Sequence, residues 1–152
     1  MTLTRPATRY LLLAATAVAL AGCGHMMTSE KPSNTVAFKG TLSGANEVPP
    51  KQTAGTGTFE VTLNKDNYQL HYHVVYSGLS GPATAGHFHG PAAAGANAGV
   101  VVPFKSAASP IDGDATLTPA QAADLLAGLW YINVHTAANP GGEIRGQVVM
   151  SH

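Results

Sequence analysis

Residues 55–76 read GTGTFEVTLNKDNYQLHYHVVY, two alternating segments joined by a polar tetrapeptide. In the first, Phe59, Val61 and Leu63 share one face, while Thr58, Glu60 and Thr62 share the other. A period of two with one apolar face marks a half-buried β-strand. Asn64 to Asn67 (NKDN) has the composition of a hairpin turn, because Asn and Asp side chains bond the backbone just ahead of them. Alternation resumes over Tyr68 to Tyr76, where Leu70, Tyr72 and Val74 face inward and His71 and His73 outward.

The β pattern extends in both directions. Upstream, Val36 to Leu42 alternates weakly, and Asn46 to Thr53 carries two prolines that cannot donate to a central ladder, so it is a loop or an edge. Downstream, Ser77 to Pro82 turns the chain, Ala85 to Gly90 is a short strand, and a Gly/Ala loop runs to Gly99. Val100 to Phe104, Trp130 to His135 and Glu143 to Met150 complete the strands. One helix is expected over Thr118 to Leu129: Thr118 caps it, Pro119 opens it, Gln121 closes a capping box and Gly128 ends it. Short strands, many Gly and Pro turns and one crossover helix predict an all-β fold, an antiparallel sandwich.

The N-terminus reads as an address. Arg5 and Arg9 precede the apolar run Tyr10 to Leu20, which is shorter than the roughly 20 residues a spanning helix needs and suits a secretory leader. Leu20-Ala21-Gly22-Cys23 resembles the lipobox of bacterial lipoproteins. That resemblance implies a signal peptide over 1–22, cleavage before Cys23 and a diacylglycerol on its sulfur. Gly24 stands where an aspartate would favour retention in the inner membrane, so the expected address is the outer membrane, facing the periplasm. Residues 23–35 are polar and read as a lipidated tether, and 36–150 as the single folded domain.

Cys23 is the only cysteine, so no disulfide forms within the chain once it is acylated, and no thiolate serves a metal. Removing the leader leaves six basic residues against eight acidic ones, with no basic cluster. Nucleic acid is therefore not expected as a partner, and the membrane is met only through the lipid.

Five of the seven histidines sit in three strands. Phe88 belongs to the core, which puts His87 and His89 on the opposite face. Trp130, Ile132 and Val134 share one side, leaving Tyr131, Asn133 and His135 on the other. All five imidazoles should therefore project from the sheet surface. Residues i and i+2 on one strand have Cβ atoms about 7 Å apart, which lets two rings converge on one ion. His87, His89 and His135 are the candidate metal ligands, with His71 and His73 as additional ligands or supporting residues. Three neutral imidazoles and water suit Cu(II) or Zn²⁺. Asn133 and Glu143 are candidates for hydrogen bonds to a ligand ring; alternatively Glu143 pairs with Arg145 across a sheet face. No set of residues with hydrolytic machinery is evident, and no catalytic residue is assigned.

The segments GLSGPATAGHFHGPAAAGANAGVVVPF and TLTPAQAADLLAGLWYINVHTAANPGGEIRGQV closely resemble the chordin-type (CHRD) domain, from about Phe38 to Val149. The order His-x-His on one strand, a late strand ending in His and a Gly-rich turn is similar, more distantly, to copper–zinc superoxide dismutase. That likeness implies a Greek-key sandwich and gives His87, His89 and His135 the place of three copper ligands. The departures are a loop from Gly90 to Gly99 without histidine, the missing disulfide, and an Arg145 whose register is off. Three functions follow as expectations: a periplasmic copper-binding protein for storage, delivery or resistance; an envelope module for a protein partner; or a copper-dependent redox enzyme.

Overall fold

A computed structural model describes residues 1–2 and 34–151. The leader, Cys23 and nearly all of the tether fall outside the described residues. Among those described, no helix is long and apolar enough to cross a membrane.

Among the described residues, eight strands form one antiparallel sheet: β1 (Thr35–Ser43), β2 (Thr56–Asn64), β3 (Gln69–Ser77), β4 (Ala83–His89), β5 (Val100–Pro103), β6 (Ile111–Thr116), β7 (Trp130–Thr136) and β8 (Ile144–Val148). Their spatial order is β5-β4-β7-β8-β1-β2-β3-β6. The sheet folds over on itself. Tyr72 of β3 and Phe88 of β4 stand far apart in that order, yet their rings meet edge to face at 5.3 Å, and Tyr72 stacks on Phe104 at 4.8 Å. The two halves thus enclose one core that includes Phe38, Phe59, Leu70, Phe88, Trp130 and Ile132. Each large apolar side chain so buried contributes about 1.5–3 kcal/mol of transfer free energy. The expected all-β architecture holds, as a sandwich made from a single continuous sheet.

The alternating segments fall where their periodicity puts them, with Phe59, Val61, Leu63, Leu70, Tyr72 and Val74 buried. One strand escaped the sequence reading. β6 pairs with β3 along its whole length, but its inward positions are Ile111, Gly113 and Ala115, so the apolar alternation is almost silent. Gly113 is needed there because the Tyr72 ring lies over it, leaving no room for a Cβ.

The helix α1 (Pro119–Leu126) is three residues shorter at its end than expected. Its start is as read. Thr118 Oγ1 accepts from the Gln121 backbone N–H at 3.2 Å, and Gln121 Oε1 accepts from the Thr118 N–H at 2.8 Å. Gly128 follows at φ +73°, a conformation that ends a helix cheaply only with glycine. Ala122 and Leu125 are its buried residues, and the helix carries the chain from edge strand β6 to inner strand β7.

Candidate metal centre

β4 and β7 lie side by side and place the histidines. Their register sets His87 opposite Asn133, Ala85 opposite His135 and His89 opposite Tyr131. Phe88 faces Ile132 on the core side, so the face assignment read from alternation is correct. His87 and His135 are diagonal neighbours across the pair, the separation at which long side chains meet. A register shift between Phe88 and His89 re-aims the last ring of β4.

The three rings converge. Their centroids are 4.9 Å apart for His87–His135, 5.4 Å for His87–His89 and 6.3 Å for His89–His135. One nitrogen from each lies within 4.8 Å of the others, which is a set that could hold a metal ion. The expectation that they project from an open surface is corrected. His89 and His135 are buried, each 8% exposed, and only His87 is half-buried. β7 is buried throughout; on its outer side the segment between β4 and β5 (the roof) bonds Tyr131 and the turn after β7 bonds His135.

The roof is fixed by hydrogen bonds. His89 Nδ1 donates to the Ala98 carbonyl at 3.0 Å, and the Tyr131 hydroxyl donates to the same oxygen at 3.3 Å. Arg145 Nη1 donates to Asn97 Oδ1 at 2.9 Å and Nη2 to the Ala96 carbonyl at 2.6 Å. Gln147 Nε2 donates to the Ala92 carbonyl at 3.0 Å. The histidine-free loop therefore supplies backbone acceptors to the site instead of ligands.

Those acceptors decide the tautomers, since a carbonyl can only accept. His89 carries its hydrogen on Nδ1, which leaves a lone pair on Nε2. That atom is buried and has no hydrogen-bond partner. His135 gives its Nδ1 hydrogen to the Pro140 carbonyl at 3.0 Å, so its Nε2 also presents a lone pair. Around that Nε2 stand His87 Nδ1 at 3.1 Å and Asn133 Oδ1 at 2.9 Å. One proton on His87 Nδ1 can bridge to His135, but the amide oxygen faces the same nitrogen acceptor to acceptor. The Nε2 atoms of His89 and His135 are thus the two lone pairs that could serve a cation. Burial lowers the pKa of His87 and, against the Ala98 carbonyl and the Asn133 amide, which favour the charged ring, that of His89; neighbouring rings add to both effects. Both rings are held toward the neutral form that binds metals.

Asn133 lies among the three histidines, its Oδ1 beside His135 Nε2. Glu143 does not. Its Oε1 accepts from Thr53 Oγ1 at 2.6 Å and from the Ser80 N–H at 2.7 Å, and its Oε2 from Ser80 Oγ at 2.5 Å and Thr136 Oγ1 at 2.6 Å. It ties three chain segments together and touches no imidazole. Burial pushes its pKa up, but the four hydrogen bonds outweigh that and hold it at about 2. Nor does it pair with Arg145, whose guanidinium turns to the roof and lies over the Tyr131 ring.

His71 and His73 do not join the cluster. They project from β3, where each meets an aspartate of β6. A residue the sequence reading left in a loop is present instead. The Glu47 carboxylate is 4% exposed, its pKa raised by burial against the pull of Arg145, the Val48 N–H, Lys51 and the Asn133 amide. A Cβ on Gly142, which sits at φ +122°, would collide with Glu47 Oε1 and Asn133 Nδ2. Glycine there leaves room for the carboxylate beside the amide.

Comparison against curated proteins and against solved structures returns no match. The family comparison matches the CHRD domain over residues 38–148, from Phe38 at the heart of β1 to Val148 at the end of β8. That span holds every strand pairing around the three histidines, and the chain belongs to the CHRD domain family.

Proposed function

We propose that this protein is an exported lipoprotein, anchored through Cys23, whose CHRD domain binds copper through His87, His89 and His135 for storage, delivery or resistance. The observation that carries the reading is the convergence of three imidazoles on a point where the buried Nε2 of His89 has no partner. Copper is preferred to zinc because an imidazole site without geometric selection binds Cu(II) more tightly. Zinc remains the alternative ion. The burial of His89 and His135 supports holding over turnover, the loop after β4 bonding the first and the turn after β7 the second. The address rests on the sequence alone: the charged start, the short apolar run and the box ending at Cys23.

Calorimetric titration of Cu(II) and Zn²⁺ into the purified protein, beside a His87→Ala/His89→Ala control, tests the site. One submicromolar equivalent, lost in the control, is the expected result; a control that keeps the wild-type affinity overturns it. Superoxide turnover by the copper-loaded protein would move the reading from binder to enzyme. Mass spectrometry of the mature chain tests the anchor, which is refuted by a mass without acyl chains or by unchanged processing of Cys23→Ser.

A further inference from the structure

The geometry points to a second, exchangeable site for a divalent transition-metal ion, formed by His71 and His73 on the outer face of β3 and backed by Asp114 and Asp112 of β6. It shares no residue with the three-histidine cluster and does not depend on it.

The register sets each histidine directly opposite an aspartate, His71 against Asp114 and His73 against Asp112. His73 Nδ1 lies 2.6 Å from Asp112 Oδ1, and His71 Nδ1 meets Asp114 Oδ1. An ionised carboxylate oxygen accepts only, so each Nδ1 carries the hydrogen and each neutral ring presents a lone pair at Nε2. Neither Nε2 has a hydrogen-bond partner among the described residues. This is how a carboxylate prepares a ligating histidine: it fixes the tautomer, orients the ring and raises the basicity of the far nitrogen.

Two such dyads stand side by side. Positions i and i+2 of a strand bring their Cβ atoms to about 7 Å on one face, close enough for two long rings to share an ion. Both imidazoles line a shallow groove with Glu60 and Thr62 of β2 and Gly113 of β6. Its charge favours a cation. Asp112, Asp114 and Glu60 face it, and the lysine opposite, Lys39, is held by Glu60 at 2.7 Å. The side chains are open to water, 61% exposed for His71 and 48% for His73. Two exposed imidazoles completed by water bind more weakly than the three less exposed ones and let the ion leave readily. The expected affinity is micromolar.

The test removes the first site from view. Zn²⁺ is titrated into the full chain carrying His87→Ala/His89→Ala, and into that variant with His71→Ala/His73→Ala added, each checked for fold by circular dichroism. One micromolar equivalent should persist in the first and weaken about 10–100-fold in the second. Should the quadruple variant fail to fold, long-range ¹H–¹⁵N spectra of the wild-type chain give the answer. Zn²⁺ should shift Nε2 of His71 and His73 and leave Nδ1 protonated. Residual binding that is absent, or indifferent to His71 and His73, overturns the proposal, as do ring nitrogens that Zn²⁺ leaves unmoved. If the wild type instead lacks the tight equivalent but shows this weak one, the three-histidine reading fails and the second site stands.

Discussion

The Arg145 guanidinium carbon lies 3.4 Å from the centre of the Tyr131 ring. The His89 imidazole stacks parallel to the same ring, 2° from coplanar at 4.8 Å between centroids. A cation thus presses on an aromatic that in turn stacks on the His89 ring. Arg145 is 2% exposed, and beside it stands the buried carboxylate of Glu47. Arg145→Met should cost about 1.5–3 kcal/mol, because it removes the charged donor to Asn97 and Ala96 and takes a positive charge from near that carboxylate. Chemical denaturation measures the loss, and Arg145→Lys should recover only part of it, lacking the planar fork that holds Asn97 and Ala96.

Asn133 turns its amide oxygen to His135 and its amide nitrogen toward Glu47. Asn133→Ala should weaken copper binding about 10–100-fold. The strand pairing of β7 is backbone-borne and should survive, so the melting temperature of the metal-free protein should fall little compared with Arg145→Met. Equal copper affinity in variant and wild type would remove Asn133 from the site.

Glu143 offers a test in acid. Its folded pKa, about 2, lies below the ordinary value of 4.5, so the unfolded chain binds the proton first. The stability it contributes is complete above pH 4.5 and is lost as the pH falls toward about 2. Glu143→Gln should lower stability at neutral pH by about 1.5–3 kcal/mol, the range for hydrogen bonds to a charged group. It should also flatten the acid limb of the stability curve, which denaturation at stepped pH would reveal.

How much of this was legible in advance depends on what each signal needs. The faces of β4 and β7 followed from Phe88, Trp130, Ile132 and Val134, because alternation is local. β6 was not legible, since Gly113 and Ala115 are too small to register as an apolar face. Glu143 looked like a ligand partner from sequence proximity, yet its bonds run to Thr53 and Ser80, which the fold alone brings near. Glu47 was hidden for the same reason: a carboxylate in a proline-rich loop gives no sign that Gly142 will open a space for it. The cover on His89, from the Ala98 carbonyl, and on His135, from the Pro140 carbonyl, is likewise written in backbone groups that carry no sequence signature.

The metal-free cluster should respond to pH in a defined direction. Burial first, and the neighbouring rings after it, place the folded pKa of His87 and His89 below 6.5. Protons therefore bind the unfolded chain preferentially, and the contribution of these rings is complete above 6.5 and declines as the pH falls through their folded values. Stability of the apo protein should drop over that range, and less in His87→Ala/His89→Ala. Saturating copper should push the drop to lower pH, because the ion competes with the same protons.

The segment from Gly90 to Gly99 bears on time as well as on strength. Its carbonyls hold His89, Tyr131, Arg145 and Gln147, so an ion held as proposed would be slowed in leaving wherever its path needs those bonds to part. Residence is then set by how often the loop lifts, and two sites on one sheet would keep different clocks: a slow one under the loop and a fast one at the open edge.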